Sequence, residues 1–268
     1  HAIASPAMVT AHLACLDGVV MPAAEARIPA TDEGLLRGDG VFEVLRLYEG
    51  RPFALADHLE RLARSAENLR LEVDLDAIHA DVATLLTAAG TGPEHGCLRI
   101  VVTRGGRRLL LTEPLPPRRP AVRLAAVTYA PPRVLDGIKS LSYAANMLAT
   151  RLAKERGADE AVLVTPHGRV LEAPTASIFW IEGDAVLTPP LSDHILRSIT
   201  RDRVIALSGA RERPCALADL RRADEIFLAS TTREIQPVSA IDDVALAPGP
   251  RTAELARRLH ERIRAELD

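Results

Sequence analysis

Residues 137–172, GIKSLSYAANMLATRLAKERGADEAVLVTPHGRVLE, hold both lysines of the 268-residue chain and set the pattern that the rest follows. Ala144 to Arg156 reads as a helix stopped by Gly157, because glycine accepts the left-handed conformation that ends helices. Ala161–Thr165 and Val170–Glu172 read as strands, parted by a His167-Gly168 turn. Downstream, Ile178–Ile181 reads as another strand before a Gly183-Asp184 turn. A helix over Ile199–Leu207 opens at Asp193 or Ser198, Glu225–Ala229 is strand-like, and Thr252–Leu267 is a charged amphipathic helix. Helices and strands interleaved in this way point to an α+β fold.

Upstream, LACLDGVV (13–20) reads as strand and turn, and VFEVLRLY (41–48) as a strand closed by Glu49-Gly50. Leu55, Leu59, Leu62, Ala66 and Leu69 recur at helical spacing, which predicts an amphipathic helix over Leu55–Leu71. A second helix over Leu75–Ala89 has Asp74 as its cap, and Leu98–Thr103 is β-branched enough for a strand. Between Glu113 and Pro132 stand six prolines that flank one strand pattern, Ala121–Thr128. This divides the chain into a smaller N-terminal domain (8–115), a linker region (116–136) and a larger C-terminal domain (137–268). Residues 1–7, HAIASPA, have neither the basic nor the apolar region of a signal peptide and read as a segment apart from the fold.

Composition excludes several classes. With 47% hydrophobic and 26% charged residues the chain has enough apolar material for real cores and is not disordered. Every apolar run is broken well short of the roughly 20 residues a membrane helix needs, so a soluble protein is expected. A formal net charge of −3 gives no broad footprint for nucleic acid or an anionic membrane. Cys15, Cys97 and Cys215 lie far apart, without metal-ligand spacing, and suit a reducing cytoplasm; no metal site is expected. GDG (38–40) and GG (105–106) do not make a dinucleotide fingerprint, and no Walker-type phosphate loop is present.

All but two of the 33 basic residues are arginine. A bias toward arginine explains the depletion, but a lysine retained against it invites a chemical question. Arginine stays protonated, whereas a lysine amine can lose its proton and attack an aldehyde. Lys154, late in its helix, is explained as a solvated cation near a C-terminus. Lys139, at the junction before that helix, is either a surface loop residue or the reactive group.

The motifs around Lys139 decide between these. DEGLLRGDGVFEVLR (32–46), HLERL (58–62), KSLSYAANMLA (139–149), GADEAVLVTPHGRVLEAPTASIFW (157–180), ILRSITR (195–201) and EIFLASTTREIQPV (225–238) occur in the order found in fold type IV pyridoxal-phosphate enzymes. The chain resembles that family, which includes branched-chain and D-amino acid aminotransferases and aminodeoxychorismate lyase. The resemblance implies a two-domain protomer, with a smaller α/β N-terminal domain and a larger, pseudo-barrel C-terminal α/β domain. It also implies pyridoxal 5′-phosphate between the domains and a homodimer.

Site roles follow from the same resemblance. Lys139 would be the Schiff-base lysine and the acid and base that moves the substrate Cα proton. Glu172 would pair with the pyridine nitrogen, although by itself it reads as an edge-strand charge. Tyr143 would hydrogen-bond the phenolic oxygen, its alternative being a half-buried helix aromatic. Arg61 would hold the phosphate rather than sit on a solvated helix face. Ile199, Thr200 and Thr231 would add amides and hydroxyls, and Leu196 would pack on the ring. Phe42, Arg46 and Arg99 match substrate-pocket positions, and Arg104, Arg107 and Arg108 lie on a loop that in some members reaches the site.

Three departures stand out: Ala173 replaces a glycine and Ser177 an asparagine in EAPTAS, while LRSIT brings in Arg197 and Ser198. An aminotransferase acting between an amino acid, of D- or branched-chain type, and a 2-oxo acid is the expectation. The alternative is 4-amino-4-deoxychorismate lyase, which shares the cofactor residues and releases pyruvate and 4-aminobenzoate. A non-catalytic scaffold is the third reading, and retention of Lys139 and Glu172 argues against it.

Overall fold

The computed structural model of the chain describes residues 12–92 and 94–267. The reading of residues 1–7 lies outside them. The first sheet comprises β1 (Leu13–Leu16), β2 (Val19–Pro22), β3 (Gly40–Tyr48), β4 (Arg51–Pro52), β5 (Cys97–Thr103) and β6 (Arg108–Glu113), in the order β2-β1-β6-β5-β3-β4. A short helix, α1 (Glu33–Arg37), precedes β3, while α2 (Leu55–Leu69) and α3 (Leu75–Ala89) cover one face of the sheet. Leu59, Leu62 and Ala66 of α2 and Ile78, Val82 and Leu85 of α3 meet Val41, Leu45, Leu98, Ile100, Val102 and Leu110 there. Each fully buried aliphatic side chain in this layer contributes on the order of 1.5–3 kcal/mol. Arg70, in the left-handed region, closes α2 two residues earlier than the apolar spacing indicates.

The second sheet comprises β7 (Val122–Thr128), β8 (Glu160–Val164), β9 (Ser177–Glu182), β10 (Ala185–Thr188), β11 (Arg211–Glu212), β12 (Glu225–Ser230), β13 (Glu234–Ile241) and β14 (Val244–Ala245). Its order is β11-β10-β9-β12-β13-β7-β8, with β14 paired to β13. Strands β13, β7 and β8 run parallel, and the remaining pairs between β9, β10, β12, β13 and β14 are antiparallel. Helices α4 (Ala144–Glu155), α5 (Ile199–Ser208), α6 (Leu217–Leu220) and α7 (Pro250–Leu267) complete this half. Its strands β8, β9 and β12 are buried on both faces. Ile178, Trp180, Ile226 and Leu228 point to one core, while Phe179, Ile181, Phe227 and Ala229 point to the other, under Val204 of α5 and Leu255, Leu259 and Ile263 of α7.

The proline-flanked strand is therefore not linker. β7 sits between β13 and β8, so the second sheet begins at Val122, inside the stretch expected to join the domains. The prolines bracket a strand because they cannot donate to its ladder but can end it. Val170–Glu172 also departs from expectation: it forms single bridges and loop hydrogen bonds with Val164 and Leu163 instead of a regular strand. β6, not expected from the sequence although Gly105-Gly106 precedes it, pairs with β5 through that tight connection.

Tyr48 and Phe53, at the far end of β3 and just beyond β4, pack into the Phe179–Phe227 core and so join the two halves. The other joint lies at the start of β3. Phe42 N–H donates to the Lys139 carbonyl at 3.0 Å and Leu141 N–H to that of Gly40 at 2.9 Å. Lys139 N–H in turn donates to Ser65 Oγ of α2 at 3.1 Å. Gly40 is pinched there, and a Cβ would lie 2.5 Å from the Val102 carbonyl oxygen and 2.7 Å from Leu141 Cδ1. We expect Gly40→Ala to destabilise the protein by about 1–3 kcal/mol by overpacking this joint, read as a lowered thermal midpoint, whereas Gly168→Ala, whose Cβ would meet nothing within 4 Å, strains only its own turn at φ +80°.

Candidate active site

Lys139 enters the site from the segment docked on β3, and its Nζ lies 4.5 Å from the centroid of the Phe42 ring and 6.0 Å from that of Tyr143. Those two rings meet edge to face at 5.3 Å. The amine makes no hydrogen bond or ion pair among the described residues. Burial pushes its pKa down and the nearby Arg61 adds to that, while Glu43 and Glu172 offset part, leaving it at about 8. Glu172 moves the opposite way. Burial pushes its carboxyl up to about 7, against the Leu196 amide, which donates to Oε1 at 3.2 Å, and the Lys139 charge.

Arg61 is not on a solvated helix face. It is buried, with Nε donating to Glu43 Oε1 at 2.6 Å and Nη2 to Oε2 at 2.7 Å. His58 Nδ1 donates to the same Oε2 at 2.8 Å. Burial pushes the Glu43 carboxyl up, but the Arg61 charge and the three hydrogen bonds more than offset it and hold the pKa at about 2. Burial pushes His58 down, so it is neutral, with Nε2 as a lone-pair acceptor that has no partner among the described residues. Arg61 Nη1 reaches the Arg197 carbonyl at 3.2 Å, which uses a third of its five N–H groups and leaves two free. Glu43 and His58 were visible in VFEVLR and HLERL, but the pairing was not, because strand periodicity does not tell which helix residue a carboxylate will face.

Ser198 caps α5, its Oγ accepting from the Arg201 amide at 3.2 Å. Of the two candidate caps, Ser198 is therefore the one used, and the amides of Ile199 and Thr200 have no intrahelical partner. Thr231 lies in the turn between β12 and β13, and Leu196 follows the short turn of 3-10 helix at Leu191–Asp193. Tyr143 is the N-cap residue of α4, and its hydroxyl donates to the Pro174 carbonyl, which Asn146 also contacts at 3.0 Å. Burial and Glu172 push the phenol's pKa up, so it is a donor.

The three substrate-pocket positions separate. Phe42 and Arg99 share the face of the first sheet turned toward Lys139, with the Arg99 guanidinium 5.9 Å from the Phe42 centroid. Arg46, further along the same face, is engaged elsewhere. Its Nη1 donates to Glu234 Oε1 at 2.7 Å, an oxygen that also accepts from Tyr48 at 2.8 Å, so it ties β3 to β13 across the domain joint. The loop arginines turn away as well: Arg104 binds Asp39 and the carbonyls of Leu69 and Arg70, Arg107 binds Asp17 and Arg108 binds Asp81.

The donor set fits a phosphorylated aldehyde that carries a basic ring: an amine able to lose its proton, a buried carboxylate, and a helix N-terminus beside a fixed guanidinium. The family model for class IV amino-transferases matches residues 40–241. The chain belongs to the class IV aminotransferases. It is 34% identical over 272 residues to a putative branched-chain-amino-acid aminotransferase of Methanocaldococcus jannaschii, covering 93% of this chain and 94% of that one. It is 31% identical over 276 residues to a D-alanine aminotransferase of Bacillus licheniformis, covering 93% and 96%. A bifunctional aminodeoxychorismate lyase and D-amino acid transaminase of Mycobacterium tuberculosis is 32% identical over 238 residues, covering 78% and 82%. Among solved structures, the pyridoxal-phosphate-bound form of a hypothetical aminotransferase from Mycobacterium tuberculosis superposes with a TM-score of 0.86 at 28% identity, covering 95% and 99%.

Two measurements test this geometry in the class IV aminotransferase without substrate. Reductive methylation with a labelled one-carbon aldehyde and magnetic resonance should show, besides the α-amine, a resonance that titrates near pH 8 and vanishes in Lys139→Arg. Glu43→Ala leaves the Arg61 charge buried and unpaired, and we expect a loss of about 3–5 kcal/mol by chemical denaturation.

Proposed function

We propose that the chain is a pyridoxal-phosphate-dependent aminotransferase that moves an amino group between an amino acid, of D- or branched-chain type, and a 2-oxo acid. The observation that carries this reading is the amine of Lys139, drawn down to about pH 8 beside a carboxylate drawn up to about 7. Pyridoxal phosphate, when bound, supplies the aldehyde that condenses with amines and a conjugated ring that takes up the electron pair of a Cα–H bond. Lys139 anchors that aldehyde and, once released by the incoming amino acid, takes the proton from substrate Cα through Nζ. The amine must be neutral for this, and its neutral fraction rises about tenfold per pH unit up to about pH 8 and then levels.

Glu172 pairs with the basic ring nitrogen and keeps it protonated. The free amides at the start of α5, Thr200, Thr231 and the remaining N–H groups of Arg61 would hold the phosphate and Leu196 would pack on the ring, while Tyr143 would exchange the Pro174 carbonyl for the phenolic oxygen. Phe42 and Arg99 face the substrate. The exposed leucines 35 and 36 on α1 and 148 and 152 on α4 support a homodimer. The three buried, unbridged cysteines suit a cytoplasmic protein.

A second reading is favoured by the tight connection between β5 and β6, whose arginines all turn away from Lys139. It is 4-amino-4-deoxychorismate lyase, alone or beside transamination.

The absorbance spectrum of the protein with pyridoxal phosphate tests both. We expect a visible band that Lys139→Ala abolishes, bleached by one enantiomer of alanine or by leucine, and a turnover lowered about 100-fold in Glu172→Gln. A band that no amino acid bleaches, together with pyruvate release from aminodeoxychorismate alone, would favour the lyase. No band at all would sink the cofactor assignment.

A further inference from the structure

The face of the first sheet turned toward Lys139 is apolar from Phe42 across to Leu111 except at Arg99, with Arg46 further along β3 turned to Glu234. Register puts Phe42 opposite Val101, Val44 opposite Arg99, Arg99 opposite Leu111 and Val101 opposite Leu109, and residues directly opposite in an antiparallel pair share a face. Val44, Val101, Leu109 and Leu111 are only half-buried, whereas their alternates Leu45, Ile100, Val102 and Leu110 lie fully in the core beneath α2 and α3. On this face Glu113, opposite Cys97, sits diagonally from Arg99. Arg99 Nε donates to Glu113 Oε1 at 2.8 Å and Nη2 to Oε2 at 2.9 Å. Both side chains are one-third exposed.

The ion pair has two consequences. It cancels the charge that Arg99 would bring to an otherwise apolar wall, so a neutral substrate side chain meets no unpaired ion there. It also occupies the fork of Arg99 with a carboxylate in the geometry that a substrate carboxylate would need. A pair this exposed is weakly held, so it is exchangeable and not a structural lock. Arg46, by contrast, is held by a nearly fully buried Glu234 and is not free to exchange.

Resting on the aminotransferase reading, we propose that Glu113 is a specificity-determining residue: it competes with the second carboxylate of a dicarboxylic substrate for Arg99, and so biases the enzyme toward neutral, apolar side chains. A dicarboxylate binds only by displacing Glu113 from Arg99, and the displaced carboxylate moves to solvent.

The test compares wild type with Glu113→Gln, which keeps the shape and removes the charge. The probes are 2-oxoglutarate and 2-oxobutyrate, read both as kcat/KM and as equilibrium binding to the holoenzyme by calorimetry. We expect the ratio of 2-oxoglutarate to 2-oxobutyrate to rise about tenfold in Glu113→Gln by either readout, with a gain for 2-oxoglutarate and none for 2-oxobutyrate, whose side chain then faces an unpaired Arg99. In the Arg99→Gln background the same substitution should leave the ratio unmoved, since the pair acts as a unit. An unchanged ratio in Glu113→Gln, or the same rise with Arg99 absent, overturns the proposal. If Glu113→Gln does not fold, Glu113→Ala carries the same expectation. Should wild type turn over neither oxo acid, the aminotransferase reading fails on its own, and the binding ratio still decides the role of Glu113.

Discussion

The structure depends on one short docking interaction, the segment at Lys139–Leu141 lying along the free edge of β3. Two backbone hydrogen bonds to β3 and one to Ser65 of α2 hold it there. The lysine belongs by sequence to the approach to α4, in the second half of the chain, yet its amine is set against aromatic residues on either side of the joint. Phe42 is supplied by β3 and Tyr143 by the start of α4. A sheet edge is a row of unpaired donors and acceptors that must be covered, and covering this one with the segment that bears Lys139 makes pairing and placement the same event.

Around that joint the charges are sorted by partner. In a chain whose cations are nearly all arginine, an arginine near the site carries little information by itself. Arg46, Arg99, Arg104, Arg107 and Arg108 each face an acid, and they differ in how deeply that acid is buried. Glu234 is nearly fully buried and fixes Arg46 as a strut between β3 and β13, next to the turn that bears Thr231. Glu43 is wholly buried and fixes Arg61, so that what Arg61 offers to an anion is the remaining edge of its guanidinium. Of these five and Arg61, only Arg99 has its partner in the open on the face that looks toward Lys139.

Much of this was legible from residues alone, for local reasons. Gly157 ends α4, Asp74 and Ser198 cap their helices, and the spacing of Leu59, Leu62 and Ala66 marks the buried side of α2, because each is settled within a few positions of chain. Lys139 and Glu172 were legible because their motifs are ordered and lysine is scarce. What was hidden is non-local. Arg46 and Glu234 are 188 residues apart, Glu43 and Arg61 meet across a strand and a helix, and β7 looks like linker until its partners β8 and β13 are known. Arg104 and its neighbours looked available because a Gly-rich loop reads as exposed, whereas the turn is tight enough to send each guanidinium back to its own domain.

Lys139 and Glu172, the two groups proposed to carry the chemistry, show what desolvation accomplishes. Desolvation disfavours charge of either sign, so it lowers the amine of Lys139 and raises the carboxyl of Glu172, and the two values converge on neutrality from opposite sides. Each can therefore change state near neutral pH at small cost. Glu43 shows the contrast. It is wholly buried where Lys139 and Glu172 are half-buried, yet two fixed donors on Arg61 and one on His58 hold it ionised far below neutrality. Depth alone would have raised the Glu43 carboxyl furthest, so what separates this ion pair from Lys139 and Glu172 is the number of committed hydrogen bonds. Glu43 has three from side chains, Glu172 has one from a backbone amide, and the Lys139 amine has none among the described residues.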